Sequence, residues 1–234
     1  MQIEGIVAFV TGTNRGLGRA FVAELLARGA RRVYAASRGG EAHIDPRVVP
    51  VPLDITDPEQ VRAAAAAAPD VQLLINNAGR NTAGLVLSSE PERLRQDMDV
   101  NVHGTLEVTR AFVPALEKNQ PAAVVNILSV ASLANLPMVG GYSVTKAALW
   151  SLTQALRAGL RDRGIRVHGA FPGVIDTDMA REFKVPKASP EEVVRATLDG
   201  VTAGKDDIET DPMSSQMMEL FARDPRALER QFGA

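Results

Sequence analysis

No cysteine occurs among the 234 residues, which excludes disulfides, thiolate metal sites and cysteine nucleophiles together. Neither charge is in surplus. The 26 basic and 28 acidic side chains leave a formal net charge of -2, without the basic excess that nucleic acids or acidic membranes select. No apolar run approaches the roughly 18–20 residues of a membrane span. The stretch from Met1 to Phe9 lacks the basic start and long apolar centre of a secretory signal. Repeats, linkers and charge blocks that would divide the chain are missing as well. The remaining expectation is one globular domain over residues 1–234, 45% hydrophobic and 23% charged, in the reducing cytoplasm.

Short apolar runs alternate with longer helical stretches. The runs are Ile6 to Val10, Val33 to Ala36, Val48 to Leu53, Val71 to Ile75, Ala123 to Leu128, Ile165 to Phe171 and a more polar Asp207 to Thr210. Strands this continuously apolar belong to a sheet covered on both faces, and such sheets are parallel. Asp57-Pro58 and Asp211-Pro212 each set an N-cap before a proline at the first helical position. Ser89 to Glu92 and Ser189 to Glu192 have capping-box spacing. Gly29 and Gly164 stand where helices should stop. The alanines 63–68 read as helix. Long helices are expected over Pro91 to Leu116 and Tyr142 to Arg163, with one or two over Pro212 to Phe232 broken near Asp224-Pro225. This order predicts an α/β fold of Rossmann type: a doubly wound parallel sheet of about seven strands, flanked by helices on both faces.

The first strand runs into Thr11-Gly12-Thr13-Asn14-Arg15-Gly16-Leu17-Gly18 and then a helix. Glycines at 12, 16 and 18 let the backbone turn tightly and bring its N–H groups, with the positive end of the helix, against a pyrophosphate. A carboxylate about 20 residues later would bind a ribose 2′-hydroxyl and repel a 2′-phosphate. Ser37 stands there instead, followed by Arg38, and Arg15 lies in the loop. Two guanidiniums with no nearby carboxylate read as a 2′-phosphate clamp, so NADP(H) is expected before NAD(H). Asp54-Ile55 closes the third strand. It suits an adenine, although an aspartate alone in this place is more often a loop or capping residue. Asn76-Asn77-Ala78-Gly79 ends the fourth strand, either close to ligand or as a plain turn.

Tyr142 and Lys146 are four apart at a helix start and share one face. A phenol with a pKa near 10 is a poor base at neutral pH, and an ammonium close by favours its phenolate. Such a phenol gives a proton to a carbonyl oxygen, or takes one from an alcohol. The pattern is common on helices. Its position after the fifth strand, whose end carries Ser129, gives it weight, because ligands of open α/β sheets sit at the carboxyl ends of strands. Ser129 would orient the substrate oxygen, and Ser132 is the nearby competitor.

With these residues assembled, the chain resembles the short-chain dehydrogenase/reductase family in its compact form, from Gly5 to about Met179. The motifs, in order, are Thr11 to Gly18, Asn76 to Gly79, Asn101 within Asp99 to Gly104, Ser129, Tyr142 to Lys146, and Pro172-Gly173-Val174-Ile175-Asp176-Thr177. The resemblance implies Tyr142 as general acid/base, Lys146 on the nicotinamide ribose, and Ser129 on the carbonyl. It implies that Asn101 holds a water in a proton relay and that Asn76 and Ala78 line the ribose path. It places Ile175 and Thr177 at the nicotinamide carboxamide, and it requires no metal. Asn14, Gly16, Leu17, Asn77, Gly79, Pro172 and Gly173 fall in the implied cofactor path.

Two departures stand out. Arg80-Asn81 replaces a more usual apolar residue and would alter the pocket rim. The loop from Ala180 to Ala188 is short and basic, with Arg181, Lys184 and Lys187 against Glu182; it would greet an anionic substrate or simply be solvated. Residues 178–234 are expected to form the substrate loop and a C-terminal cap or interface. The resemblance also implies a homodimer or homotetramer through the two long helices, with Leu149, Trp150, Leu152, Leu156 and Leu160 as apolar surface. The expected partner is a small carbonyl or alcohol, of unspecified identity. A cofactor-sensing regulatory or scaffold protein is the alternative from another class; it would typically lose part of the Asn, Ser, Tyr and Lys set, which is intact here.

Overall fold

The structure is a computed structural model describing residues 1–41 and 43–233. In chain order it runs β1 (Val7–Thr11), α1 (Gly16–Ala27), β2 (Arg32–Ser37), β3 (Val48–Pro52), α2 (Pro58–Ala67), β4 (Leu73–Asn76), α3 (Pro91–Met98), α4 (Thr105–Lys118), β5 (Ala122–Ile127), α5 (Gly140–Leu160), β6 (Ile165–Phe171), α6 (Pro190–Ala203), β7 (Asp207–Glu209), α7 (Pro212–Arg223) and α8 (Pro225–Gly233). All strand pairs are parallel, in the order β3-β2-β1-β4-β5-β6-β7. The expected seven-stranded Rossmann sheet is therefore present. Connections leave β1 toward β2 on one side, while β4 lies on the other. The crevice at this reversal is where such sheets take ligands.

Each strand is apolar on both faces because each face meets helices. Ala8 and Val10 face Phe21 and Leu25 of α1 and Val193 and Leu198 of α6. Val7 and Phe9 face Val61 of α2 and Phe112 and Leu116 of α4. Removing a Phe or Leu side chain of this kind from water contributes roughly 1.5–3 kcal/mol. The C-terminal helices cover the segment after β5, where Val130 packs with Met217 and Leu228. Trp150 of α5 lies edge-on to Phe171 at 5.7 Å and to Phe221 of α7 at 5.5 Å. No helix among the described residues is long and apolar enough to cross a membrane.

The caps at Asp57, Ser189 and Asp211 form as the sequence indicates. The one at Ser89 does not. A 3-10 turn at Val86–Ser88 precedes it, its hydroxyl donates to the Leu85 carbonyl at 2.9 Å, and α3 begins after Glu90 without a side-chain cap. The long helix expected over Pro91 to Leu116 runs unbroken, but it is not α-helical throughout. Asp99–Gly104 is a π-helical segment between α3 and α4, and it carries Asn101. A widened turn of this kind commonly marks a functional site.

Candidate active site

Tyr142 occupies the first turn of α5, and Lys146 follows one turn later with its ammonium 5.5 Å from the centre of the phenol ring. Lys146 is buried, and its Nζ donates to the Ile127 carbonyl at 2.7 Å, at the carboxyl end of β5. Gly79, at the end of β4, closes the corner. A Cβ placed on it would lie 3.4 Å from Asn101 Oδ1 and 3.9 Å from Lys146 Nζ. Ser129 lies two residues past the end of β5, and its hydroxyl is close enough to Tyr142 to favour the phenolate. The four residues thus meet at the carboxyl edge of β4 and β5.

The electrostatics differ from the expectation in one respect. The nearby ammonium does not bring the phenol's pKa down. Burial dominates and pushes Tyr142 up to about 12, against the smaller opposing effect of Ser129. The same loss of water lowers Lys146 from 10.5 to about 8. Desolvation disfavours the charged form of each group. The ammonium is committed to the Ile127 carbonyl rather than to the phenol oxygen.

Asn101 is fully buried and acts as a clamp. Its amide donates to the Arg80 carbonyl and to Thr145 Oγ1, both at 2.8 Å, and accepts from the Arg80 N–H at 2.8 Å. Thr145 in turn donates to the Tyr142 carbonyl at 2.8 Å. Both donors of the side chain are therefore used within the chain, so a water of the kind the resemblance assigns to it would be held through an acceptor. Ser132 is turned to accept from the Ser129 N–H at 3.3 Å, and Ser129 Oγ accepts from the Ala131 N–H at 3.1 Å. Ser129 is therefore both the turn residue and the one beside the phenol.

The glycine loop leads to this corner from the other side. A Cβ on Gly12 would lie 2.8 Å from Ala78 Cα, and one on Gly18 would lie 2.0 Å from the Gly12 carbonyl oxygen. Only glycine fits at either position. Asn77 donates to the carbonyls of Thr11 and Gly12 at 2.8 and 3.1 Å, while the N–H groups of Asn77 and Ala78 both reach Thr11 Oγ1. Gly16 has φ +52, and a Cβ there would meet Thr177 Cγ2 at 3.2 Å. Leu17 is buried beneath the loop, while Asn14 and Arg15 are exposed. The first turn of α1 has no side-chain cap, unlike α2, α6 and α7. An uncapped helix start behind a tightly folded glycine loop fits the pyrophosphate of a dinucleotide.

Other expected cofactor residues divide. Asn76 is buried under the sheet and donates to Thr109 Oγ1 and Asn126 Oδ1 at 3.0 and 2.9 Å, so its side chain ties strands to α4 instead of lining the ribose path. Asp54 accepts from the Thr56 N–H and hydroxyl, the loop-cap geometry. Ile55 packs in the core against Gly104. The Pro172 carbonyl accepts from the Val130 N–H at 3.0 Å, and the Gly173 N–H donates to Asp211 at 2.9 Å, joining the end of β6 to α7. Ile175 pairs with Ala188, which closes the short loop at its base. That loop is less basic than the sequence suggests. Arg181 pairs with Asp178 at 2.6 Å and Lys187 with Asp176 at 3.8 Å, both acids lying just before the stretch read as basic.

Two features were not anticipated. Asp97, buried in α3, accepts from Arg80 Nε at 2.8 Å and from the Thr82 N–H and hydroxyl at 3.0 and 2.9 Å. Arg80 thereby anchors the loop held by Asn101. A carboxylate also stands at the end of β2 after all. Ser37 donates to Glu41, four residues further on, which corrects the reading that no acid is near.

A doubly wound sheet with a glycine loop at its switch point, and a Tyr/Lys pair beside that loop, defines a dinucleotide-binding oxidoreductase of Rossmann type. The chain belongs to the short-chain dehydrogenase/reductase family, with residues 6–187 matching the family model for short chain dehydrogenase. A short chain dehydrogenase from Burkholderia cenocepacia, solved in complex with NADP, is similar at 44% identity and a TM-score of 0.95, over 99% of both chains. The 3-oxoacyl-(acyl-carrier-protein) reductase FabG of Vibrio cholerae is 31% identical over 215 residues, 88% of this chain and 85% of that protein. The short chain dehydrogenase pigC of Monascus ruber is 30% identical over 197 residues, and the match covers 76% of this chain and 65% of that relative.

Proposed function

We propose that the protein is an NADP(H)-dependent carbonyl reductase or alcohol dehydrogenase, with Tyr142 as its general acid/base. The observation that carries this reading is the meeting of Tyr142, Ser129, Lys146 and Asn101 at the edge where the glycine loop ends. When bound, a nicotinamide dinucleotide would supply the hydride for the carbonyl carbon. Ser129 and Tyr142 hold the carbonyl oxygen between their hydroxyls. Tyr142, kept neutral by burial, carries the proton that this oxygen takes up, which favours the reductive direction. Lys146 is charged below about pH 8 and steadies the phenolate left behind. Gly12, Gly16 and Gly18 would hold the pyrophosphate, and Arg15 and Arg38 a 2′-phosphate, with NAD(H) as the second cofactor. The NADP-bound relative from Burkholderia cenocepacia supports the same preference.

Replacing Tyr142 with Phe removes the proton and little else. Turnover of ketones and aldehydes is expected to fall by roughly 10²–10⁴ while NADPH affinity stays within about twofold. Full turnover in that variant would end the assignment. Arg38→Asp is expected to narrow or reverse the NADPH/NADH preference, and an unchanged ratio would remove Arg38 from it. The intact catalytic set disfavours a purely cofactor-sensing or scaffold protein.

Residues 178–234 would form the substrate loop and its cap, with α7 reaching the site through Asp211. A homodimer or homotetramer would use the helical run from Pro91 to Leu116, α3 with α4, together with α5. Leu149 and Leu160 are buried in the chain's own core, so Val144 and neighbouring Met138 offer more exposed apolar surface there.

A further inference from the structure

The loop from Gly79 to Gly84 walls one side of the candidate site. It leaves β4 at Gly79, where a Cβ would lie 3.9 Å from Lys146 Nζ. It ends at Gly84, whose N–H donates to the Met138 carbonyl at 2.9 Å and whose carbonyl accepts from the Gly140 N–H at 3.3 Å. Gly140 opens the helical turn that carries Tyr142, so the loop spans from the ammonium to the phenol's turn. Its other polar groups are committed. Asn101 grips Arg80 by both its N–H and its carbonyl. Asp97 accepts from the Arg80 guanidinium, the Thr82 N–H and the Thr82 hydroxyl. Ala83 and Gly84 bring no polar side chain.

Asn81 lies between these two clamps and is the exception. Its side chain is half-buried, and its Oδ1 is buried with no hydrogen-bond partner among the described residues. A dry amide oxygen left unpaired costs stability, and a backbone pinned on both sides denies it the movement that would relieve the cost. A rigid, unpaired polar group beside the reacting residues has the character of a ligand contact, because a few such groups fix orientation in a binding site.

Building on the reductase reading above, we infer that Asn81 is a specificity-determining residue that binds a hydroxyl next to the substrate carbonyl, so that hydroxyketones and hydroxyaldehydes are the favoured substrates. A hydroxyl both donates and accepts, so it satisfies the amide whichever end faces it, whereas an ether or ester oxygen only accepts and an alkyl group does neither. The short run of chain from Gly79 to Asn81 keeps the amide near the carbonyl that Ser129 and Tyr142 would hold, which places the hydroxyl on a neighbouring carbon.

The test is steady-state reduction, with NADPH, of two matched pairs that differ only by a hydroxyl in place of a methyl group: hydroxyacetone against butanone, and phenacyl alcohol against propiophenone. Wild type is expected to favour the hydroxylated member in kcat/KM by at least about tenfold, since a site built around a hydroxyl leaves its own polar group unpaired against the analogue. Asn81→Leu is expected to bring both ratios to within about twofold of one, and Asn81→Ala to do the same where leucine does not fit. Thermal melts show which variants are folded. A wild type without the preference, or a preference that survives both substitutions, means that solvent alone satisfies the amide and the inference is wrong. Failure to reduce the hydroxylated members while other ketones are reduced overturns it equally, and leaves the reductase reading standing. A chain that oxidises NADPH with no ketone or aldehyde at all defeats that reading, and this inference with it.

Discussion

Replacing Lys146 with methionine should make the protein more stable and destroy its activity. Burial takes the ammonium's pKa from 10.5 to about 8, so at 1.36 kcal/mol per tenfold the fold holds this charge at a cost of about 3 kcal/mol at neutral pH. Methionine keeps the apolar reach and drops the charge. Lost with it is the 2.7 Å bond to Ile127, worth about 1.5 kcal/mol with the carbonyl left short of a donor. The balance is a gain of about 1–2 kcal/mol, or roughly 2–8 °C in Tm for a chain of this length. The gain has a pH signature. Below about pH 8 the lysine is charged in both folded and unfolded chains, and the full penalty applies. Between about 8 and 10.5 the folded lysine has lost its proton while the unfolded one keeps it, so the wild type recovers stability and the two proteins converge. Tyr142 titrates in both and cancels to first order. Urea unfolding of the nucleotide-free proteins at pH 7, 8, 9 and 10 measures this directly. A variant less stable than wild type at pH 7, or a difference that stays flat to pH 10, would refute the reasoning.

Gly18→Ala would place a methyl group 2.0 Å from the Gly12 carbonyl oxygen. It is expected to cost about 3 kcal/mol and to weaken NADPH binding at least tenfold, and an unchanged urea midpoint with unchanged affinity would contradict the loop's packing. Asp97→Ala removes the acceptor of three hydrogen bonds. Because Arg80 is 44% exposed and can rehydrate, the loss is about 2–3 kcal/mol rather than the larger cost of stranding a buried cation. Turnover should fall further than NADPH affinity, since Asn101 loses the loop it clamps; turnover at the wild-type level would disconnect Asp97 from the site.

Strands buried on both faces write themselves as Val, Ile and Leu runs, so the sheet was legible, as were the helix starts at Asp57, Ser189 and Asp211. The Tyr, Lys and Ser positions were legible because each follows a strand end at fixed spacing. The π-helical segment was not, since apolar periodicity continues across Asp99–Gly104 and an added residue in a turn leaves no compositional mark. The Arg80–Asp97 pair joins residues 17 apart across a loop, a separation that no local pattern encodes. Glu41 does leave a mark in the sequence. Gly39-Gly40 after a strand is a tight turn, and the residue that follows it returns beside the strand end. Asp176 and Asp178 lie just before the basic stretch, so its composition alone does not show that Arg181 and Lys187 are paired.

The single indole of the chain offers a use of its own. Trp150 is gripped between an aromatic ring at the end of β6 and another on the penultimate helix, with its N–H buried and unpartnered among the described residues. Trp150 is half-buried, and wetting its packed face shifts the emission to the red. The protein therefore carries a label-free optical gauge of whether its C-terminal tail is seated, readable during catalysis or after truncation without adding a dye.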